Sequence, residues 1–214
     1  YEMKDFAPVA FLGASPNVIL TRPASGITDV KDLIAKAKAE PGKITYASPG
    51  IGSVSKLAVE LLELRTETRL IHVPFQGAAP AAQGAMAGTT DIGSVNIAGL
   101  IGFIQSGKLK PLVQTGEKRW PDLPDVPTMQ EAGIPNAVVE TTQMLLAPAG
   151  TPQRVIERLA KEVKTIMAKP DVRAKMLKAS FAVQYEGPEE LKARIAREVP
   201  MWKDLVDRAG IKIN

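Results

Sequence analysis

The chain has 214 residues, 45% of them hydrophobic, and a formal net charge of +4, which predicts an ordinary globular core in one large domain or two smaller ones. Its charged residues are interspersed and its aromatic residues make up only 5% of the chain, so neither a basic block nor a row of stacking rings indicates a nucleic-acid partner. It has no cysteine and one histidine, which excludes disulfides, thiolate metal sites and histidine-pair metal sites, and we expect neither a metal nor a cofactor.

The start of the chain and its apolar segments bear on targeting. The chain begins at Tyr1 without an initiator methionine, a charged n-region or an apolar h-region, which is typical of an internal or processed start. We therefore expect that any signal peptide has been removed. No uninterrupted apolar run reaches the ~18–20 residues that span a bilayer, so we expect no direct insertion into a membrane.

Strands and short helices alternate in the first part of the chain. Buried extended segments are predicted at 9–12 and 18–21, and strands at 43–47, 70–75, 91–95 and 109–115. Helices are predicted up to Ala39 with Thr28 or Asp29 as N-cap, at 53–64, from Gly77 to Ala87, and at 97–105. This alternation predicts an α/β domain with a largely parallel sheet.

The composition changes near Pro135, after which the helices are longer and amphipathic. A short capped helix is predicted at 128–132, and the longest strand of the chain at 138–147. Thr151 is the predicted N-cap of a helix over 152–168, with Pro152 at its first position. Further helices are predicted at 170–179 and 188–209, with a strand at 181–185 between them. The change in composition predicts a domain boundary.

A glycine- and serine-rich turn, Ser48-Pro-Gly-Ile-Gly-Ser53, lies between a predicted strand and a predicted helix. At such a turn the first N–H groups of the helix are unpaired and the helix dipole is positive, which favours a carboxylate or a phosphate. The candidate ligand-binding residues here are Ser48, Gly50, Gly52, Ser53 and Ser55. Glycine allows a ligand close to the backbone, and serine adds a hydroxyl donor. In the alternative interpretation Ser53 only caps its own helix, and the sequence leaves both open.

Two other polar loops follow predicted strands at the same end of the sheet. They contain Phe75 and Gln76 in one case and Asn96 in the other. Because ligands of open parallel sheets bind beyond the carboxyl ends of the strands, the three loops are predicted to converge on one ligand. Asn96 has the additional interpretation of capping the helix that follows it.

His72 is the one candidate for a catalytic base. No Gly-x-Ser-x-Gly elbow accompanies it, and carboxylate pairs such as Glu189 and Glu190 lie on solvated helical faces. A hydrogen-bonded structural histidine is therefore the favoured interpretation. The alternative is a hydrolase or transferase that uses His72 with Ser53 or Ser55.

Five motifs in order resemble the signatures of a known family. They are Lys4-Asp-Phe-Ala-Pro-Val9, Pro41-Gly-Lys-Ile-Thr-Tyr-Ala-Ser-Pro-Gly-Ile-Gly-Ser53, His72-Val-Pro-Phe-Gln-Gly77, Leu123-Pro-Asp-Val-Pro-Thr-Met-Gln-Glu-Ala-Gly133 and Ala147-Pro-Ala-Gly-Thr-Pro152. The chain thus resembles the Bug family, the extracytoplasmic substrate-binding proteins of tripartite tricarboxylate transporters. The likeness extends from Lys4 to Ile211.

This resemblance implies a function without catalysis. A two-lobed, type II-like periplasmic binding protein would close by hinge motion on a small carboxylate, either a di- or tricarboxylate or an aromatic acid. Its partners would be the membrane permease subunits of the transporter, and its location the periplasm. The alternative is a ligand-sensing ectodomain that engages a signalling partner.

The resemblance also implies how the lobes and pocket are arranged. Residues 16–136 would form a complete, ligand-binding second lobe, 1–15 a remnant of the first lobe with the crossover, and 137–214 the C-terminal part of that first lobe. The matching pocket loops are the 48–53 turn, Phe75 with Gln76, and Asn96 with Ile97, and Thr142 falls on the cleft side of the returning strand.

Two departures from the family pattern stand out. Lys56 occupies a position where the family usually has histidine, so its ammonium is expected to serve an anion or to face solvent. Family members also carry an N-terminal portion ahead of the Lys4-Asp-Phe motif. We therefore expect this chain to be a fragment, or to be completed by a separate portion, and to bind ligand poorly on its own.

Overall fold

The computed structural model describes residues 2–208. Contacts among them group into two compact units, one of residues 2–15 with 142–208 and one of residues 16–141. None of the helices in the described residues is long and apolar enough to cross a membrane.

Seven strands and seven α-helices make up these units. The strands are β1 (Phe6–Thr21), β2 (Thr45–Ser48), β3 (Ile71–Pro74), β4 (Ile92–Asn96), β5 (Lys110–Gln114), β6 (Glu140–Pro148) and β7 (Ala182–Glu186). The helices are α1 (Val30–Ala39), α2 (Val54–Thr66), α3 (Ala78–Ala87), α4 (Ile101–Gln105), α5 (Gln153–Met167), α6 (Pro170–Lys178) and α7 (Pro188–Arg208). The predicted end of the last helix, Ala209, lies outside the described residues.

The sheet of the 16–141 unit has the strand order β3-β2-β4-β1-β5. Strand β2 is parallel to β3 and β4, whereas β1 is antiparallel to β4 and to β5. Strands β2, β3, β4 and β5 thus run in the same direction, as the predicted largely parallel sheet requires, but β1 runs against them, so the sheet is mixed. The reason is that the second half of β1 lies between β4 and β5 and runs against both, a long-range pairing that the local alternation of strands and helices does not reveal.

Strand β1 is the longest strand, with 16 residues, whereas β6 has 9. The sequence predicted two short segments here and the longest strand at 138–147, because Gly13 and Pro16 interrupt the apolar run. The strand continues through them. Gly13 has φ +144°, and a Cβ there would lie 2.0 Å from the carbonyl oxygen of Ala182 on β7. Glycine at this position therefore permits the close approach of β1 and β7.

The other unit is built on the first half of β1, which pairs with β6 and β7. Two apolar clusters form its core, one of Val9, Ala147, Ile156 and Ala160 and one of Phe11, Ala14 and Leu191. The Arg194 guanidinium carbon lies 4.2 Å from the centroid of the Phe11 ring. Ion pairs with Glu186 and Glu198 hold that guanidinium in place.

Three local predictions need correction. Residues 128–132 do not form a helix, because Thr128 forms an isolated β-bridge with Gln114 and residues 129–133 form a turn. Thr128 and Glu131 make the reciprocal capping hydrogen bonds, but Gly133 has φ +88° and ends the helical turn. Thr151 does not cap α5, because its hydroxyl donates to the carbonyl of Pro148 at 2.7 Å, and Pro152 takes the N-cap position. The helix predicted at 97–105 begins only at Ile101.

Candidate functional site

Ser53 caps helix α2, as one of the two interpretations of the turn predicted. Its Oγ accepts a hydrogen bond from the backbone N–H of Lys56 at 3.2 Å and donates to the carbonyl of Gly50 at 2.8 Å. The carbonyl of Gly50 also accepts from the backbone N–H of Ser53 at 3.2 Å. These bonds hold the turn between β2 and α2 in one shape.

The cap leaves several backbone donors of the turn and first helical residues unused. Among residues 2–208, no acceptor is found for the backbone N–H groups of Ile51, Gly52, Val54 and Ser55. The 13-residue helix α2 adds the positive end of its dipole at the same place. Unpaired donors together with a positive dipole form a site that suits an anionic oxygen.

The two glycines of the turn have different roles. Gly50 has φ +148°, a backbone conformation that L-residues with a side chain rarely adopt, so the turn itself requires glycine there. Gly52 has an ordinary φ, and a Cβ at this position would meet no heavy atom within 4 Å. The fold therefore does not need glycine at 52, and its absent side chain leaves open space beside the unpaired N–H groups.

Ser48 is engaged inside the protein. It is fully buried, and its Oγ lies 2.7 Å from Nε2 of His72 and 3.1 Å from the carbonyl oxygen of Gly50. His72 stands opposite Tyr46 in the parallel pairing of β3 with β2, with the ring centroids 4.8 Å apart. Burial, together with the nearby Lys56 ammonium, lowers the pKa of His72. The neutral ring therefore suits a structural histidine.

The alternative catalytic pairing is contradicted by this geometry. Within residues 2–208, the side-chain hydrogen bond of His72 goes to Ser48, and the hydroxyls of Ser53 and Ser55 form hydrogen bonds with other groups. The hydroxyl of Ser48 is itself buried, so it is inaccessible as a nucleophile.

Lys56 matches neither of the roles expected for it. It is buried, and its ammonium forms an ion pair of 2.7 Å with Oε1 of Glu60. The hydroxyl of Tyr46 donates to the same oxygen at 3.2 Å. Burial and the Glu60 charge raise the pKa of Tyr46. Burial also raises the pKa of Glu63 to about 7, although the backbone N–H of Leu70 donates to its carboxyl group.

The Ser55 side chain is engaged by another part of the protein. Its Oγ is buried and donates to Oδ1 of Asn17 at 2.7 Å, so this hydroxyl is not a free ligand donor. The hydroxyl of Ser94 donates to the carbonyl of Ser55 at 2.8 Å. These bonds attach the first turn of α2 to β1 and β4. Asn17 was not among the predicted site residues, although a single amide among apolar strand residues was a signal.

The loop residues Phe75 and Gln76 differ in their surroundings. The backbone N–H of Phe75 donates to the carbonyl of Ser48 at 2.9 Å, which places this loop beside the turn. The Phe75 ring packs on α3, where a Cβ on Gly84 would lie 2.5 Å from its Cζ. Gln76 is exposed. A ligand contact by either residue stays a prediction.

The remaining predicted site residues lie at strand ends. Oδ1 of Asn96 accepts from the N–H of Ala98 at 2.9 Å, which makes a local turn and not the cap of α4, whose N-cap position is Leu100. Ile97 is buried, and its N–H donates to the carbonyl of Pro16 at 3.0 Å. Thr142 is half-buried on β6, in the unit of residues 142–208. No group of acidic or histidine side chains suited to a metal ion occurs in the described residues.

Comparison with protein-family models gives one match. The model for the TctC, or tripartite tricarboxylate transporter family receptor, covers residues 1–211. Among curated relatives, the UPF0065 protein in the tcbD-tcbE intergenic region of Pseudomonas sp. (strain P51) is 33% identical over 99% of this chain and 63% of its own length. Protein BugT of Bordetella pertussis is 29% identical over 99% of the chain and 65% of its own length. The chain thus spans less than two thirds of these relatives.

Solved structures are similar over nearly the whole chain. R. palustris Rpa4515 with adipate matches with a TM-score of 0.87 and 27% identity, over 99% of this chain and 71% of that chain. The periplasmic binding protein BugD matches with a TM-score of 0.84 and 31% identity, over 99% and 72%. MatC (Rpa3494) from Rhodopseudomonas palustris with bound malate matches with a TM-score of 0.82 and 30% identity, over 96% and 71%.

Proposed function

The chain belongs to the tripartite tricarboxylate transporter receptor family, TctC, and on that premise we propose that it is part of an extracytoplasmic binding protein for a small carboxylate. The predicted resemblance to the Bug family is confirmed, and so is the predicted α/β, periplasmic-binding-protein-like fold class. The family consists of receptors and not of enzymes.

The observation that carries the proposal is the set of unpaired N–H groups at the start of α2. Backbone donors beside a helix dipole attract negative charge and do not depend on the rest of the ligand molecule. They therefore suit the carboxylate group that different organic acids share. The open space at Gly52 lets an oxygen approach these N–H groups closely. Both features belong to the 16–141 unit, which we assign to the ligand-binding lobe.

The acids bound by similar proteins indicate the ligand class. Adipate is bound in Rpa4515 and malate in MatC, and both are dicarboxylates. We therefore propose a small di- or tricarboxylate, with an aromatic acid as a further member of the class. Thr142 remains a proposed ligand contact, as the family resemblance implies.

We also propose where the protein works and with what. As a receptor of this family, the protein would deliver its solute to the membrane permease subunits of a tripartite tricarboxylate transporter, and its proposed location is the periplasm. Pull-down of the permease subunits by the ligand-loaded protein would support this. Recovery of a sensor protein in their place would favour the signalling alternative.

Thermal unfolding with a panel of acids tests the ligand class. Because the relatives are longer than this chain, the whole gene product is used. Adipate, malate, a tricarboxylate and an aromatic acid are each compared with the neutral diamide or diol of the same length. An acid present at about 100 times its Kd raises the unfolding free energy by about 2.7 kcal/mol. Equal effects of acid and neutral analogue, or no effect of any acid, would contradict the proposal.

A further inference from the structure

Asn17, on β1, has a buried side-chain amide in which only the oxygen forms a hydrogen bond. The residue is fully buried, and Oδ1 accepts from the Ser55 hydroxyl at 2.7 Å. Within residues 2–208, its amide nitrogen Nδ2 has no hydrogen-bond partner. A buried N–H group without an acceptor destabilises the fold, so such groups are rare and commonly point to a function.

The amide lies where several elements of the candidate site meet. On one side Asn17 is directly opposite Asn96 of β4. On the other side its backbone N–H donates to the Thr115 hydroxyl at 2.9 Å, and its carbonyl accepts from the Thr115 N–H at 3.0 Å. Above the sheet it touches Ser55, whose own backbone N–H is one of the unpaired donors of α2. Asn17 is thus hydrogen-bonded to a residue of the proposed anion site.

The hydroxyls around this amide already have acceptors. Ser55 donates to Oδ1 of Asn17, and Ser94 donates to the carbonyl of Ser55. Thr115 donates to the carbonyl of Val139. The Nδ2 group therefore adds a donor to a region that already has an excess of donors, and an oxygen supplied by a ligand would satisfy it.

We propose that Nδ2 of Asn17 donates a hydrogen bond to the carboxylate that the start of α2 holds. This inference rests on the proposed function and adds a residue to the site that neither the motifs nor the predicted loops contained. Asn17 would then have two roles. Its Oδ1 atom would position α2 through Ser55, and its Nδ2 atom would contact the ligand. The N–H group of the amide needs a hydrogen-bond acceptor, so it would favour a carboxylate over a group that offers only hydrogen-bond donors.

Calorimetric titration with adipate and with malate as probes tests this on three proteins. Asn17→Asp keeps the size of the side chain and the acceptor for Ser55 but removes the N–H donors. We expect its affinity to fall by about tenfold to a hundredfold. Ser94→Ala is the matched control, because it removes another buried hydrogen bond that attaches the start of α2 and leaves Asn17 unchanged. Its affinity should stay within about threefold of the wild type.

Nuclear magnetic resonance separates contact from positioning. The side-chain ¹⁵N–¹H signals of Asn17 in the wild-type protein should shift when the acid is added, and their hydrogen exchange should slow. A residue that only positions α2 would keep these signals in place. Circular dichroism checks that Asn17→Asp is folded, and if it is not, the wild-type signals decide alone.

The outcomes distinguish the two proposals. If the wild-type protein binds none of the acids in the panel, the proposed function fails, whatever Asn17 does. If the wild type binds an acid while the Asn17 signals do not move, the role of Asn17 is overturned and the proposed function stands. Affinity of Asn17→Asp within threefold of the wild type would overturn it as well.

Discussion

The Nε2 atom of His72 lies 2.7 Å from Oγ of Ser48, so a side-chain hydrogen bond joins β3 to the residue at which β2 ends and the proposed anion-binding turn begins. Ser48 is fully buried and His72 is half-buried, so the pair is part of the support of the turn and not of a surface exposed to ligand. The one histidine of the chain therefore has a structural role.

Removal of either member of this pair should destabilise the protein by about 1–2 kcal/mol, because the other is left with an unsatisfied polar group. A double-mutant cycle with Ser48→Ala and His72→Ala, followed by urea unfolding, should show a coupling energy of about 0.5–1.5 kcal/mol. Additive effects of the two substitutions would contradict the structural pairing.

The pKa of Glu63, which burial raises to about 7, should make stability depend on pH. A carboxyl group whose pKa is higher in the folded state than in the unfolded state stabilises the fold fully below the unfolded value of 4.5, and this contribution is lost as pH rises through about 7. Glu63→Gln keeps an oxygen for the Leu70 N–H but cannot ionise. After allowance for solvent screening of a partly exposed group, the variant should be more stable than the wild type by about 1–2 kcal/mol at pH 8.

Urea unfolding at several pH values from about 3 to about 8 measures this difference and also includes the acid range in which the contribution of a carboxylate with a lowered pKa is lost. Glu186→Gln is the control of opposite sign, because the Arg194 guanidinium lowers the pKa of Glu186. Its carboxylate stabilises the fold above the ordinary pKa, and that contribution disappears as the pH falls through the lower folded-state value. A difference between Glu63→Gln and wild type that is constant with pH would count against the raised pKa.

Gly50→Ala and Gly52→Ala should affect different properties. Gly50 has φ +148°, so alanine there strains the turn and should cost about 1–3 kcal/mol of stability. Gly52 has an ordinary φ and open space around it, so alanine should change stability by less than about 0.5 kcal/mol. If a carboxylate approaches the backbone at this place, Gly52→Ala should nevertheless weaken binding of the acid.

Thermal unfolding and calorimetric titration of both variants separate the two effects. Gly26→Ala serves as a reference for backbone strain alone, because Gly26 has φ +74°, has no neighbour within 4 Å of its Cβ position and lies outside the turn. Wild-type affinity in Gly52→Ala would show that the ligand does not come close to this glycine.

Lys56→Met should be strongly destabilising, because it leaves the carboxylate of Glu60 largely buried without its counter-charge. The expected loss is on the order of 3 kcal/mol. Combining it with Glu60→Gln should recover much of this loss, because no unpaired charge remains. The exposed pair of Lys203 with Asp207 has the same spacing and order on α7, and Lys203→Met should leave stability nearly unchanged. Equal effects of Lys56→Met and Lys203→Met in urea unfolding would contradict the buried ion pair.

Several elements were predictable because their causes are local. Asp29 and Ser53 cap α1 and α2 as predicted, since a cap depends on residues only three positions apart. The turn at 48–53 was recognisable for the same reason, because its glycines and serines are adjacent in sequence. The family resemblance likewise rests on short motifs, and the family match over residues 1–211 confirms it.

Only the tertiary structure decided what depends on distant contacts. The direction of β1 between β4 and β5 and the orientation of Ser55 toward Asn17 arise when segments far apart in sequence pack together. Lys56 and Glu60 are neighbours on α2, but their burial also depends on the rest of the fold. A serine beside a turn has the same local pattern whether its hydroxyl faces a ligand or a neighbouring strand. By itself, the sequence determined the composition of the 48–53 turn and the family. Packing determined which of its donors remain unpaired, because a donor stays free only when no other part of the folded chain supplies an acceptor.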